Sequence, residues 1–343
     1  MDNEGNKISR RGFLKVGLLG TTSLASLPLL NKLMPAQSVA ANVVQAPPAQ
    51  TGAHSGHEAS GTVGDIDTSR FDPTAFLTDF DYGTTSRLAS GQTLREYSVF
   101  ASDIEIEVAP GVYFAAWAYN GQVPGPTFRC TEGDRLRFNF INGSTHPHTI
   151  HFHGIHPPLM DGFEPVVQPS NSFVYEFDAR PFGLHPYHCH TVPLARHIHK
   201  GLYGTLIIDP PGGRAPAHEM VMVMNGFDTN FDKENEVYAV NTAAFHYFKH
   251  PIKVKVGELV RVYLSNMTEF DLLNSFHLHA GMFRLYRTGT RLDQYEYTDN
   301  VIMGQGERHI LEFTLEYPGK YMFHAHQSEF AELGWMGFFE AGV

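Results

Sequence analysis

The chain has 343 residues and a formal net charge of -11, from 25 Lys and Arg against 36 Asp and Glu. Nucleic-acid binding needs clustered positive charge, so nucleic acid is excluded as a partner. At 42% hydrophobic the chain carries ample core for about two domains.

Residues 1–41 read as a twin-arginine export signal. Ser9-Arg-Arg-Gly-Phe-Leu-Lys15 supplies the positive region, Val16 to about Leu30 the apolar run, and Ser38-Val-Ala-Ala41 the small-residue cleavage site. Cleavage near Ala40 or Ala41 predicts a periplasmic or extracellular protein. The apolar run is short for a membrane span, and no span is expected in the mature chain. Residues 42–75 are rich in Ala, Pro, Gly, Ser and Thr and predict a flexible tether. His54 and His57 lie in it; solvated linker histidines are the simpler reading, metal scavenging the alternative.

From about residue 90 the pattern is all-β. Ile104-Glu-Ile-Glu-Val108 and Leu136-Arg-Phe-Asn-Phe-Ile141 alternate apolar with polar residues. Pro110-Gly111, Asn120-Gly121, Pro124-Gly125 and Asn142-Gly143 punctuate them as turns. Asp209-Pro-Pro-Gly-Gly213 reads as a linker between domains at 76–210 and 211–343. The second half repeats the first: Glu132-Gly-Asp-Arg-Leu-Arg-Phe-Asn-Phe-Ile-Asn142 matches Val256-Gly-Glu-Leu-Val-Arg-Val-Tyr-Leu-Ser-Asn266. Two related β-sandwich domains follow. Cys130, in an apparent strand, is expected to be a buried free thiol.

The chemistry concentrates in His185-Pro-Tyr-His-Cys-His190, with His197 eight residues after Cys189. A thiolate with imidazoles is the donor set of a blue copper centre. Successive strand residues face opposite ways, so His188 and His190 point away from Cys189 towards a second metal site. Four His-x-His pairs occupy matching places: His151/His153, His188/His190, His277/His279 and His324/His326. Chance would give about one such pair in this composition. Side chains at i and i+2 share a face, so each pair offers two imidazoles side by side. Eight imidazoles fit three coppers with positions left for a small ligand; structural zinc closes at four donors. His146 and His199 are expected to be incidental surface residues, and His185 to line the cluster or a substrate path.

These motifs, with Asn120-Gly-Gln-Val-Pro-Gly-Pro-Thr127, His151-Phe-His-Gly154 and Asp161-Gly162, resemble the two-domain multicopper oxidases. Those are laccase-like relatives of the copper nitrite reductases. The resemblance covers roughly residues 90–343 and implies cupredoxin-like Greek-key sandwiches. It implies four coppers per subunit. His148, Cys189 and His197 would hold the type 1 ion. His151 and His277 resemble type 2 ligands, and His153, His188, His190, His279, His324 and His326 type 3 ligands. The family's axial Met, five residues after the second His, is here Leu202. In the second domain Ala325 stands where Cys would, Asn274 replaces the first type 1 His and Leu333 the second, so one blue copper is expected. The family implies a homotrimer whose clusters are shared between neighbouring subunits.

Dioxygen would be the electron acceptor, and a phenol, aromatic amine or metal ion the donor. Asp161 resembles the family's acid beside the cluster, with Glu329 and Glu332 as weaker candidates. A nitrite reductase is the runner-up enzyme, and a cuprous oxidase a further alternative. Reductases carry Asp where this chain has His151 and lack a counterpart of His190, and both differences disfavour nitrite. A copper store or electron carrier would leave the four pairs unexplained.

Overall fold

The computed structural model describes residues 64–342. The export signal and most of the expected tether lie outside the described residues. Among the described residues, no helix is long and apolar enough to cross a membrane.

Two β-sandwiches follow one another. In the first, one sheet contains Phe80–Asp81, Thr127–Thr131, Tyr203–Asp209, Gly183–His188 and His151–Phe152. The facing sheet contains Thr84–Arg87, Thr93–Ala109, Arg135–Asn142 and Ser172–Asp178, with Val112–Tyr119 paired to Thr93–Ala109. In the second, His218–Phe227, Val260–Asn266, Arg308–Phe313 and Phe283–Arg287 are central to one sheet. Met336–Gly342, Gly319–His324, Leu273–Leu278 and Asn300–Gly304 build most of the other. Parallel pairs, such as Thr127–Thr131 with Tyr203–Asp209, sit among antiparallel ones, because Greek-key connections return a strand from the far side.

The repeated strand is buried differently in each half. Leu136, Phe138 and Phe140 face the first core while Arg135, Arg137 and Asn139 are only half-buried. Its counterpart Val260–Asn266 is buried throughout. Val260, Val262 and Leu264 face the second core; Tyr263 faces a third apolar cluster that joins the sandwiches. That cluster mixes Phe114, Ala116 and Val123 with Val221, Phe227 and Ile310. The first sheet has a wet face, whereas the second is covered by its neighbour, so only the first keeps a polar alternation.

The last residues of the expected 42–75 tether are in contact with the sandwiches. Phe71 and Phe76 are in ring contact at 5.4 Å, Asp72 caps the short helix Pro73–Phe76, and Leu77 enters the second core. Phe76 and Leu77 are buried and Phe71 partly so, which holds the end of the expected linker against the sandwiches. Cys130 is a buried free thiol whose Sγ lies 3.7 Å from the Ile207 carbonyl, as expected.

Candidate metal centre

Cys189 follows the strand Gly183–His188, His197 lies on the short helix Leu194–His199, and His148 precedes the strand His151–Phe152. Their donors converge: Nδ1 of His148 and Nδ1 of His197 are 3.1 Å apart, and Cys189 Sγ lies 3.3 Å from His197 and 3.9 Å from His148. Donors bound to one ion at about 2.0–2.3 Å stand at such mutual distances. All three side chains are buried. Ser144 Oγ, 2.9 Å from His148 Nε2, fixes the outer side of that ring and leaves Nδ1 to face the thiol. Burial, then the neighbouring His197, holds His148 down at about 3; burial, then Arg196, holds His197 at about 4. Both rings are therefore neutral near pH 7, the ligating form. Burial pushes the Cys189 thiol up, so forming the thiolate requires a cation. These donors fit copper.

Leu202 is fully buried in the same apolar cluster as Cys189. Its carbonyl accepts from the Cys189 amide at 2.9 Å and its own amide donates to His197 at 3.3 Å. Trp117, which the sequence did not single out, lies 5.0 Å from the His148 ring and 4.8 Å from the His197 ring. Tryptophan packing against a ligand has no local sequence signature.

The eight remaining imidazoles form two constellations of one design. His151 pairs with His188 across strands, as His277 does with His324. His151 Nδ1 donates to the Asp161 carbonyl at 2.7 Å and His277 Nδ1 to the Asp299 carbonyl at 2.9 Å. His188 Nδ1 donates to the Cys189 carbonyl at 3.0 Å and His324 Nδ1 to the Ala325 carbonyl at 2.6 Å. These bonds anchor one nitrogen and free the other for a metal. The Nε2 atoms of His153 and His188 stand 3.2 Å apart, those of His279 and His324 2.8 Å. His190 and His326 complete the sets, their rings 5.2 Å from His151 and 5.3 Å from His277. His190 Nδ1 is buried without a hydrogen-bond partner. Among the described residues the two sets are separate groups. In the second set His279 and His326 are exposed, whereas in the first His188 is buried and the other three are half-buried.

A cavity of about 760 Å³ borders the first set, lined among others by His151, His153, Asp161, Phe163 and Arg308. Asp161 Oδ1 lies 3.3 Å from His151 Nδ1 and 3.9 Å from His156 Nε2. Gly162 follows at φ +79, where a Cβ would sit 2.0 Å from the Ile150 carbonyl oxygen, so the turn that aims Asp161 requires glycine. Asp299 is the counterpart in the second set, its Oδ2 3.8 Å from His277 Nδ1. Sequence reading missed Asp299 because it follows its His pair by a different spacing. Arg308, from the second sandwich, was missed because it is an ordinary strand residue until the fold brings it to this cavity. Glu329 and Glu332 are exposed on the helix Ser328–Glu332.

Two sequence expectations need correction. Cys189 N to Leu202 O and Leu202 N to His197 O correspond to Ala325 N to Trp335 O and Trp335 N to Phe330 O. Phe330, not Leu333, therefore stands where His197 does, because the helix–glycine register runs through Gly201 and Gly334. Asn274 does take the place of His148: its Nδ2 donates to Thr268 Oγ1 at 3.0 Å, as His148 meets Ser144. His199 is not a surface residue. It is buried, and its Nε2 accepts from the Asp228 amide at 3.0 Å. His146 is half-buried, its ring 4.6 Å from Trp117. His185 is buried, its Nε2 donating to the Pro181 carbonyl at 2.8 Å.

A two-sandwich copper protein of cupredoxin type is the class that this fold and these donors define. Two family models, both described as multicopper oxidase, match residues 101–213 and 214–342. A crystal structure of a multicopper oxidase superposes with a TM-score of 0.79 at 54% identity, covering 81% of this chain and 100% of that one. The copper-containing nitrite reductase of Neisseria meningitidis serogroup B is 30% identical over 237 residues, 63% of this chain and 60% of that protein. Laccase-9 of Arabidopsis thaliana is 43% identical over 103 residues, 28% of this chain and 17% of that protein. The chain thus spans about three fifths of the curated reductase's length. The chain belongs to the multicopper oxidase family.

Proposed function

We propose that the chain is a laccase-like oxidase holding four coppers per subunit. The observation that carries this reading is the pair of matched four-imidazole constellations beside a single Cys-His-His set. Bound copper supplies one-electron chemistry, by which four electrons taken singly from a phenol, aromatic amine or metal ion reduce dioxygen to two waters. Cys189 and its neighbours connect the two kinds of site: the His188 ring is tied to the Cys189 carbonyl, so a few bonds separate thiol and imidazole. Asp161 is half-exposed at the cavity and contacts His151, a position suited to carrying protons inward. The twin arginines of residues 9–15 support export.

Sharing between subunits is the proposed assembly. Ile155, Leu159 and Phe163 are exposed near the first set, and Leu272, Leu273 and Ile302 on strands and turns of the second. Contiguous exposed apolar residues mark contact surfaces. A homotrimer would bury both faces and bring a first set against a neighbour's second set. Sedimentation of the copper-loaded protein should give a trimer; a fully active monomer would rule the assembly out.

The second reading is a nitrite reductase, favoured by the Neisseria similarity. Copper analysis discriminates: four per chain for the oxidase, two for the reductase, one for a carrier. Oxygen uptake with phenols under air, without nitrite consumption, is the matching activity result.

Leu202 is expected to set the blue-site potential. A leucine adds no donor, which favours Cu(I) and a high potential. Leu202→Met offers a thioether at similar volume, so the fold should tolerate it. Redox titration of the blue band should show a lower potential with unchanged copper content. An unchanged or raised potential would mean that Leu202 does not face the ion.

A further inference from the structure

The turn from Asn142 to His146 carries Ser144, whose hydroxyl meets the outer nitrogen of His148. With His148, Cys189 and His197 as the blue-copper ligands proposed above, we infer that Asp103, acting through Ser144 on His148, lowers the reduction potential of that ion. Asp103 bonds Ser144 and not a ligand, so it is a positioning residue.

Asp103 lies on the strand Thr93–Ala109, directly across from Trp117. The Gly143 amide donates to the Ala101 carbonyl at 2.9 Å, which ties the turn to that strand beside Asp103. The Ser144 hydroxyl then donates to Asp103 Oδ1 at 3.0 Å, and the Thr145 amide to Asp103 Oδ2 at 2.8 Å. Ser144 Oγ stands 2.9 Å from His148 Nε2. A ring that gives Nδ1 to a metal keeps its proton on Nε2, so His148 donates and Ser144 accepts. The chain from His148 through Ser144 to Asp103 thus has one direction, each hydrogen pointing towards the carboxylate. Ser144 is 3% exposed and His148 is fully buried. Burial pushes the Asp103 carboxyl up, but the Thr145 amide and the Ser144 hydroxyl outweigh it and leave it below the ordinary carboxylate range. The chain therefore ends on an anion near pH 7.

An anion at the end of a hydrogen-bonded chain draws the Nε2 proton outward and makes the imidazole a stronger donor. A stronger donor favours Cu(II) over Cu(I), the direction opposite to that of Leu202. The neighbouring cations act differently. Arg196 and Lys200 stand over the Trp117 ring at 5.3 and 5.9 Å and act on the ligands through space. His146 Nδ1 is 4.0 Å from Asp103 Oδ1, beyond hydrogen-bonding reach. In the second sandwich Asn274 takes the place of His148 and keeps a hydroxyl partner, Thr268 Oγ1. Among the described residues no carboxylate is hydrogen-bonded to Thr268, so the anion accompanies the imidazole.

The test is redox titration of the blue band in the copper-loaded full chain, with Asp103→Asn, Ser144→Ala and the double variant. The Asn amide keeps an oxygen to accept from Ser144 and Thr145, so the turn is retained and only the charge goes. Each single variant should show a raised potential at unchanged copper content. With Ser144 already removed, Asp103→Asn should add less than half the shift it gives alone, because the chain through which it acts is broken. Three outcomes would overturn the proposal. The first is an unchanged or lowered potential in Asp103→Asn. The second is an Asp103→Asn shift at least half as large without Ser144 as with it. The third is loss of the blue band in Asp103→Asn, which would make Asp103 a brace of the turn. A parent chain without a blue band would overturn the ligand reading itself and this proposal with it.

Discussion

His153→Ala and His279→Ala are each expected to abolish oxygen uptake, although the two residues belong to separate groups within one chain. Each removes an Nε2 that faces a partner imidazole, His188 in one case and His324 in the other. Losing one ligand of a metal group should lower copper content, while the blue absorption of Cys189 is largely kept, because His148 and His197 are untouched. Mixing the two variants sharpens the result. If each cluster joins the first half of one subunit to the second half of the next, reassembled mixtures regain intact clusters. Equal amounts mixed at random give an intact pair at roughly one interface in four, so about a quarter of parental oxygen uptake should return. No recovery on mixing, with both variants inactive and trimeric, would place the cluster within a single chain. Full oxygen uptake in either variant would sink the trinuclear assignment itself.

Removing Arg129 is expected to cost the most stability of any single change between the sandwiches. Its guanidinium bonds Asp209 through Nε at 2.8 Å and Nη2 at 3.0 Å, and Glu219 through Nη1 at 2.7 Å. Glu219 also receives Arg261 Nη1 at 2.7 Å and the Tyr263 hydroxyl at 2.8 Å, and Arg261 Nε reaches Glu312 at 2.6 Å. The network therefore runs from Thr127–Thr131 through the Asp209 linker into the second sandwich. Arg129 is 8% exposed and Arg261 2%. Truncating one member of a buried pair leaves an uncompensated charge and costs about 3–5 kcal/mol. Arg129→Ala should lower the denaturation midpoint accordingly; a loss below about 1 kcal/mol would mean that the network behaves as a solvated surface pair.

The same network predicts an acid limb. Burial pushes the Glu219 carboxyl up, but hydrogen bonds and charge from Arg129 and Arg261 outweigh it and leave it at about 2. Its unfolded value is roughly 4.3. Because the folded value is the lower one, the contribution is full above about pH 4.3 and fades as pH falls towards about 2. Glu219→Gln should flatten the loss of stability across that window, read by denaturation at several pH values. An unchanged slope would assign the acid limb to other carboxylates.

The proposed copper donors were legible in the sequence because strand geometry is local. Alternation puts His188 and His190 on the face opposite Cys189, and i, i+2 spacing puts His151 beside His153, whatever the rest of the chain does. The internal repeat was equally legible, since Leu136-Arg-Phe-Asn-Phe-Ile and its counterpart share a local pattern. Anything that depends on which surfaces meet was not legible. Leu77 is held by a core built from residues after 219, and Phe71 and Phe76 by the cluster to which both sandwiches contribute. Asp299 and Arg308 are unremarkable until folding carries one to His277 and the other to the His153 cavity. Phe330 displaces Leu333 as the counterpart of His197 because main-chain hydrogen bonds around Gly334, not residue counting, set the register of that turn. Sequence alone picked out the cysteine and histidines that lie together in the fold, through short-range backbone periodicity. Tertiary structure decided how each ring is turned, which are buried, and that the two constellations stay apart in one chain, because those depend on long-range packing that no local pattern encodes.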